Sequence, residues 1–387
     1  MKPSLLTTSE WRFIRGADGY YTKSSYPYAY WQRMLGHFDR VTIAARVTTE
    51  AVPPTARRVD GPGVTIEPIT DFVGALGLVR AMPGLVRRLP AWIRSHDSFL
   101  LRAPGVIGGV VWCGLMAARR PFAVEVVGDP AESLRGRPGG AIAQALAGSQ
   151  LRAMTAAAKV TRYVTASTLQ RRYPPDPRGV SVSVSDVEIS ATLLAGPAPP
   201  TRPGPTLELV FVGSLSHYKG VDILLAALTR TAHPHRLTVV GDGALRDELE
   251  RAAAGLAGRV RFLGALPVGD AVRTVMQAHD LLVLPSRGEG LPRVVIEAMA
   301  AGIPCVATNV GGTAELLDAG QLVPAESPVA LALAIDALAA SVARRRELAA
   351  AGRLRVAHFV TEERDRRFDR FFAAVAATSA SAGQAGR

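Results

Sequence analysis

The residues with the clearest chemical potential lie in one run, Pro285-Ser-Arg-Gly-Glu-Gly-Leu-Pro-Arg-Val-Val-Ile-Glu-Ala-Met-Ala-Ala-Gly-Ile-Pro304. It leaves an apolar strand, turns through Gly288 and Gly290, and enters a helix close to Pro292, a residue favoured at the first helical position. The free N–H groups and positive dipole end of that helix suit a phosphate or a sugar hydroxyl. Glu289 lies in the turn and Glu297 eight positions later in the helix. The turn carboxylate can meet a ligand at the edge of a sheet. The helical one projects from the second turn and can accept hydrogen bonds from vicinal hydroxyls, as acidic residues do with a ribose in dinucleotide folds. Gly290, Leu291, Pro292 and Arg293 complete the donor-side candidates of this segment. A solvated loop glutamate and a satisfied helix glutamate are the bland reading, and the ordered Gly and Pro residues around them count against it.

A cation is needed beside any diphosphate, and Lys219, following the strand Val210–Val212 and the Gly213-Ser214-Leu215 turn, can supply it. Gly241-Asp-Gly243 ends another strand, and Arg261-Phe262-Leu263-Gly264 a third; Gly241, Gly243, Phe262 and Leu263 join the ligand-binding candidates. Gly311 and Gly312 open a further turn, read equally well as a simple helix start. In the first half, Phe122–Val127 runs into Gly128 and Asp129. Asp129 is a candidate catalytic contact with a sugar, weighed evenly against a helix cap, and Gly16–Gly19 is a candidate shaper of the acceptor side.

These motifs need a scaffold of alternating strands and helices. Apolar runs at 41–46, 98–101, 122–127 and 163–165 read as parallel strands, with a helix over 140–154 between them. The Pro/Gly cluster 195–205 interrupts the pattern. It resumes with strands at 207–212, 236–240, 260–263, 281–284 and 305–308, and helices at 221–228, 244–254, 292–301, 328–348 and 362–377. The reading is α/β: two Rossmann-like doubly wound domains facing across a cleft. Residues 1–198 form the first domain, 199–206 a linker and 207–358 the second domain. Residues 359–377 form a terminal helix able to pack back on the first domain, and 378–387 a tail without fixed structure.

With 387 residues, two domains of roughly 100–200 residues each are expected. Lys and Arg outnumber Asp and Glu by 45 to 33, a formal charge of +12, which favours anionic partners. A preference for Arg spread along the chain accounts for it equally well. Cys113 and Cys305 are the only cysteines and have no metal-ligand spacing; a reducing, cytoplasmic setting fits them. Residues 1–10 show no signal-peptide core. The longest apolar run, 103–118, falls short of the about 20 residues a membrane span needs. The basic, apolar segment 78–94 is read as a helix on the sheet, interrupted at Pro83 and Pro90, with its arginines in water; peripheral contact with an anionic membrane, at its inner face, is the alternative.

The segment Glu289-Gly-Leu-Pro…Glu297-Ala-Met-Ala-Ala-Gly-Ile-Pro-Cys-Val-Ala-Thr308, followed by Val310-Gly-Gly-Thr-Ala-Glu315, resembles the retaining nucleotide-sugar glycosyltransferases of family 4, with their GT-B fold. Val210-Phe-Val-Gly-Ser-Leu-Ser-His-Tyr-Lys219 is similar as well. The resemblance implies that Glu289 lies at the donor sugar, that Glu297 binds the donor ribose, and that sugar passes to an acceptor hydroxyl with retention, in glycan, polysaccharide or glycoconjugate biosynthesis. The partners it implies are a nucleotide-sugar donor and a glycan, lipid-linked or small-molecule acceptor. The family often carries Gly-Arg-Leu where this chain has Gly213-Ser214-Leu215, so a second phosphate cation is absent from its usual place; Arg293 or Arg287 is the candidate substitute. A histidine usual at the end of the Phe122–Val127 strand is replaced by Gly128-Asp129. No Asp-x-Asp metal motif occurs, so neither a metal nor another cofactor is expected. The rival readings are a non-catalytic nucleotide-sugar-binding protein and an NAD-dependent oxidoreductase. The latter requires Gly-x-Gly-x-x-Gly after the first strand, which is missing. No nucleic-acid-binding module is recognisable.

Overall fold

The computed structural model describes residues 2–23, 26–133, 140–196, 204–256, 258–267 and 269–384. Two parallel sheets form two domains. The N-terminal sheet contains β1 (Ser4–Arg15), β2 (Tyr20–Thr22), β3 (Arg40–Thr48), β4 (Arg57–Arg58), β5 (Val64–Thr70), β6 (Ser98–Ala103), β7 (Ala123–Val126), β8 (Val160–Tyr163) and β9 (Val180–Ser183). Its parallel part runs β5-β3-β1-β6-β7-β8-β9, and β2 and β4 extend the far end of β1 as an antiparallel ribbon. The C-terminal sheet contains β10 (Leu207–Val212), β11 (His235–Val240), β12 (Val260–Gly264), β13 (Leu281–Leu284), β14 (Cys305–Thr308) and β15 (Leu322–Val323), in the order β12-β11-β10-β13-β14-β15.

Each sheet reverses its strand order once, between β1 and β6 and between β10 and β13. Ligands of open α/β sheets lie beyond the strand C-termini at such a reversal. In the second domain this is where the chain leaves β10 for Gly213–Lys219 and leaves β13 for Pro285–Pro292. The parallel strands are near-continuous apolar runs because both faces are covered: Leu209–Phe211, Leu281–Leu284 and Cys305–Ala307 are all buried.

Three features depart from the sequence reading. The helix expected over 328–348 is two helices, Pro328–Ala339 and Val342–Arg355. Ser341 divides them: its hydroxyl accepts from the Arg344 N–H at 3.1 Å, an N-cap that starts a new helix. Pro83 and Pro90 do not interrupt their helix, which runs Gly74–Ser95. Both prolines are exposed while Leu85, Leu89 and Trp92 are buried, so the lost N–H bonds fall on the wet side. Arg80, Arg87 and Arg94 of that helix face solvent. The strand ending the first domain's central run is Val160–Tyr163 rather than 163–165.

The apolar run after β6 is the helix Val106–Ala117, with Ile107, Val111 and Leu115 in the core. Among the described residues no helix is long and apolar enough to cross a membrane. Residues 197–203, which include most of the expected linker 199–206, lie outside the described residues. The last helix, Thr361–Gln384, returns to the first domain: the Thr361 N–H donates to Ile189 O at 3.0 Å, and Phe368, Phe371, Phe372 and Val375 are buried among residues of β1, β3, β6 and β7. It continues through 378–384, most of the segment 378–387 expected to lack fixed structure; residues 385–387 lie outside the described residues.

Candidate active site

Adjacent turns at the strand reversal bring Lys219 and Glu289 together, Nζ to Oε1 at 2.6 Å, though 70 residues separate them. The Ser286 hydroxyl donates to the same oxygen at 2.6 Å. Glu289 is buried, so its carboxylate is fixed before any ligand arrives. Arg287 holds the lysine's turn in place. Its buried guanidinium donates to Asp222 at 2.9 and 2.6 Å, to Glu326 at 2.7 Å and to the His217 carbonyl at 2.6 Å. It is therefore not a substitute phosphate cation, because its donors are already committed to that turn. Arg293, at the first turn of the helix Arg293–Ala300, is half-buried and lies 3.7 Å from Glu297.

The turn after β14 closes the cradle. The Gly312 N–H donates to Gly290 O at 2.7 Å. Gly311 has φ +52°, and a Cβ there would stand 1.8 Å from Glu289 O, so only glycine allows this approach. On the other side the turns after β10 and β11 interlock. Gly241, at φ +135°, would place a Cβ 1.8 Å from Gly213 O, and a Cβ at Gly243 would stand 2.4 Å from Leu215 O. The Gly241 N–H donates to Gly264 O at 2.8 Å, aligning these turns with Phe262 and Leu263, both half-buried. Ser214 is exposed beside Ser216, Oγ to Oγ 3.3 Å. Leu291 is buried and Pro292 is the residue before the helix rather than its first.

A carboxylate that sequence reasoning did not single out occupies this cradle. Glu132, in the short helix Pro130–Ser133 of the first domain, accepts from the Glu289 N–H at 3.1 Å and the Gly311 N–H at 3.0 Å. Asp129, weighed evenly between a sugar contact and a helix cap, takes up the cap. It is 2% exposed, and its carboxylate accepts from Ala131 N–H at 2.8 Å and Tyr173 OH at 2.6 Å and pairs with Arg172 at 2.7 Å. This is the helix-capping arrangement, and it leaves Glu132 as the acid reaching the other domain. Asp-Pro-Ala-Glu reads as a helix start with an acid at its third position, which hides the cross-domain contact. A reciprocal contact comes from Glu315, which accepts from the N–H groups of Ala166, Ser167 and Thr168 at 2.6, 2.9 and 2.6 Å. Burial raises its pKa, but these donors outweigh burial and hold it below the usual range.

Glu297 lies on the wall of a cavity of about 630 Å³ between the domains, with Arg293, Met276, Tyr30 and Phe368. Burial pushes its carboxyl above the usual range, against the pull of Arg293. The Gly16–Gly19 turn joins β1 to β2 (Gly16 N to Gly19 O, 2.8 Å) and does not line this cavity. Among the described residues no cluster of three or more metal-ligating side chains is found.

The geometry defines a two-domain α/β protein with Lys219, Glu289 and turn N–H groups gathered at the strand reversal of its C-terminal domain, and solved structures show the fold to be GT-B. Sucrose-phosphate synthase from Thermosynechococcus elongatus superposes with a TM-score of 0.70 at 19% identity, over 97% of this chain and 100% of that one. HepE from Anabaena in complex with UDP-glucose gives 0.64 at 18% identity, over 96% and 100%. Residues 206–341 match the family described as glycosyl transferases group 1. Protein CapJ of Staphylococcus aureus is 24% identical over 77% of this chain and 76% of its own length. The 2-deoxystreptamine glucosyltransferase of Streptomyces kanamyceticus is 38% identical, over 32% of each chain.

Proposed function

We propose that this protein transfers a glycosyl group from a nucleoside-diphosphate sugar to an acceptor hydroxyl, with retention at the anomeric carbon, in the assembly of a polysaccharide or glycoconjugate. The observation that carries the reading is the cradle: Lys219 on Glu289, with the Glu289 and Gly311 N–H groups 3.1 and 3.0 Å from a carboxylate that stands where a ligand's anionic or hydroxyl oxygens would sit. The group 1 domain and the glucosyltransferase relative support the same reaction class.

In this reading the diphosphate lies between Lys219 and the N–H groups of the turns, and Arg293 adds a second cation from the start of its helix. These fixed donors stabilise the departing nucleoside diphosphate without a metal. Glu297 takes the ribose hydroxyls, Phe262 and Leu263 border the base, and Glu289 faces the sugar. Closure of the first domain over the cradle excludes water.

The test combines a thermal-shift panel of UDP-, GDP-, ADP- and dTDP-sugars with an assay of nucleoside-diphosphate release. One donor class raises the melting temperature, Glu289→Ala stops release at unchanged fold, EDTA leaves the rate unchanged, and NMR of the product shows the donor's anomeric configuration. No stabilisation by any nucleotide sugar would remove the proposal.

A further inference from the structure

Behind the first-domain wall of the 630 Å³ cavity lies a buried charge cluster that reaches the cavity through Arg33 and Asp186 and holds more cations than anions. Arg102 on β6 pairs with Glu125 and Asp186 at 3.1 Å each, and Arg162 on β8 pairs with the same two acids at 3.1 Å each. All four side chains are less than a tenth exposed. Arg33 is the third cation of this group, and its closest acid, Asp186, is 4.0 Å away and already shared by the other two. Three guanidiniums thus face two carboxylates. Charges taken out of water need a partner, and the cost of leaving one without is large.

Arg33 is also the member that lines the cavity. Its guanidinium lies between the rings of Tyr30 and Phe368, at 4.1 and 3.9 Å from their centroids. Nε and one terminal nitrogen are closed off without a hydrogen-bond partner, while a fifth of the side chain remains open. The other acids of the wall are engaged elsewhere: Glu188 and Asp365 with Arg364, Asp369 with His37, and Glu297 near Arg293.

We propose that Arg33 and its flanking rings form a subsite for an acidic sugar, so that the acceptor carries a carboxylate or phosphate which completes the charge balance of the Arg33, Arg102, Arg162, Glu125 and Asp186 cluster. The open terminal nitrogen of the guanidinium can donate a charge-assisted hydrogen bond to such a group, Nε and the other terminal nitrogen being sealed, and the half-buried Tyr30 is the ring beside it that a sugar can reach. The anion belongs to the acceptor rather than the donor. Arg293 and Glu297, read as donor contacts, line the second-domain wall of the same cavity, but Arg33 stands on the first-domain wall, and Lys219 and Glu289 do not line the cavity. The word acceptor rests on the transferase reading; binding of an anion at Arg33 does not.

The experiment is ligand-observed NMR titration of the full chain with methyl β-glucuronoside, glucose 6-phosphate and the neutral methyl β-glucoside, in wild type, Arg33→Gln and Arg33→Lys. Wild type binds at least one of the two anionic probes tenfold or more tightly than the glucoside, and the arm that does so distinguishes carboxylate from phosphate. Arg33→Gln loses that preference and keeps the glucoside affinity. Arg33→Lys, which retains charge without the flat stack, keeps a reduced preference and decides the matter if the glutamine variant does not fold. Equal binding of charged and neutral probes by wild type overturns the inference. So does an Arg33→Gln protein that keeps the anionic preference, or one that loses nucleoside-diphosphate affinity instead, since the anion would then be the donor's. A wild type that prefers an anionic sugar but binds no nucleotide sugar leaves the subsite standing and removes only the transferase reading.

Discussion

Replacing Glu132 with alanine should tighten the binding of nucleoside diphosphates. Its two oxygens take one N–H each, from Glu289 and Gly311, at 3.1 and 3.0 Å. Hydrogen bonds to a charged acceptor are worth about 1.5–3 kcal/mol each, and these distances are longer than the best charge-assisted bonds, so the low end applies. A donor seeking the same N–H groups must displace up to about 3 kcal/mol of contact, part of which returns when the released carboxylate is rehydrated. Removing the competitor, and its repulsion of the diphosphate, leaves a gain of about 1.5–3 kcal/mol, roughly ten- to a hundredfold in Kd. Glu132→Gln keeps an acceptor without the charge and gains less. Calorimetric titration with UDP, GDP, ADP and dTDP, with inorganic pyrophosphate as the minimal anion and the free nucleosides as controls, reads this directly. Pyrophosphate and diphosphates bind more tightly to the variant while nucleosides, which do not reach the cradle, bind as before. Unchanged or weakened diphosphate affinity would refute the argument, as would a parallel gain for the nucleosides.

Glu297→Gln should melt no lower than wild type at neutral pH yet bind nucleotide about tenfold more weakly, the loss of a charged hydrogen-bond acceptor. Burial raises the Glu297 pKa, so the penalty for its charge is absent below the ordinary glutamate pKa and complete above the raised one; in wild type, nucleotide affinity should fall with decreasing pH already above the range where an exposed glutamate titrates, which titrations across pH would show. Asp129→Asn should lose about 1–2 kcal/mol in denaturant unfolding, from its contacts with Tyr173 and Ala131, and retain transfer; loss of transfer at wild-type stability would restore a catalytic role. Gly311→Ala should lose about 3 kcal/mol or more, because a Cβ at φ +52° meets Glu289 O at 1.8 Å, and its diphosphate affinity should fall with it.

What could be read from the sequence was what is written contiguously. The donor turn is one run, from the strand Leu281–Leu284 through Glu289 to Glu297, so its strand, glycines and helix start are all in view at once. Lys219 was reachable because β10 and β13 are the strands at the order reversal, and the turns after them are neighbours in any sheet so wound. β1 was missed, although it is the longest strand at 12 residues. Glu10, Arg12 and Arg15 break its apolar run, since its second half leaves the parallel core at a register shift between Ser9 and Arg12 and continues into the ribbon with β2. Arg33 gives no local signal at all. Its environment is made by Tyr30, Asp186 and Phe368, which the sequence scatters across all three portions of the first-domain core.

The same distinction explains why the two domains differ in legibility. In the C-terminal domain the candidate side chains Lys219, Glu289 and Glu297 stand on or beside turns held by backbone N–H groups and by glycines that permit carbonyl contacts. Those demands leave fixed residue types at fixed offsets. The N-terminal domain contributes side chains from different elements, and a carboxylate such as Glu132 can reach the cradle from any short helix that abuts it. Gly290 shows where the constraint passes from one domain to the other, because a Cβ there would lie 2.2 Å from the Val127 carbonyl. The glycine after Glu289 is therefore required by the closed arrangement as well as by the turn, and the motif carries an imprint of the domain it closes against.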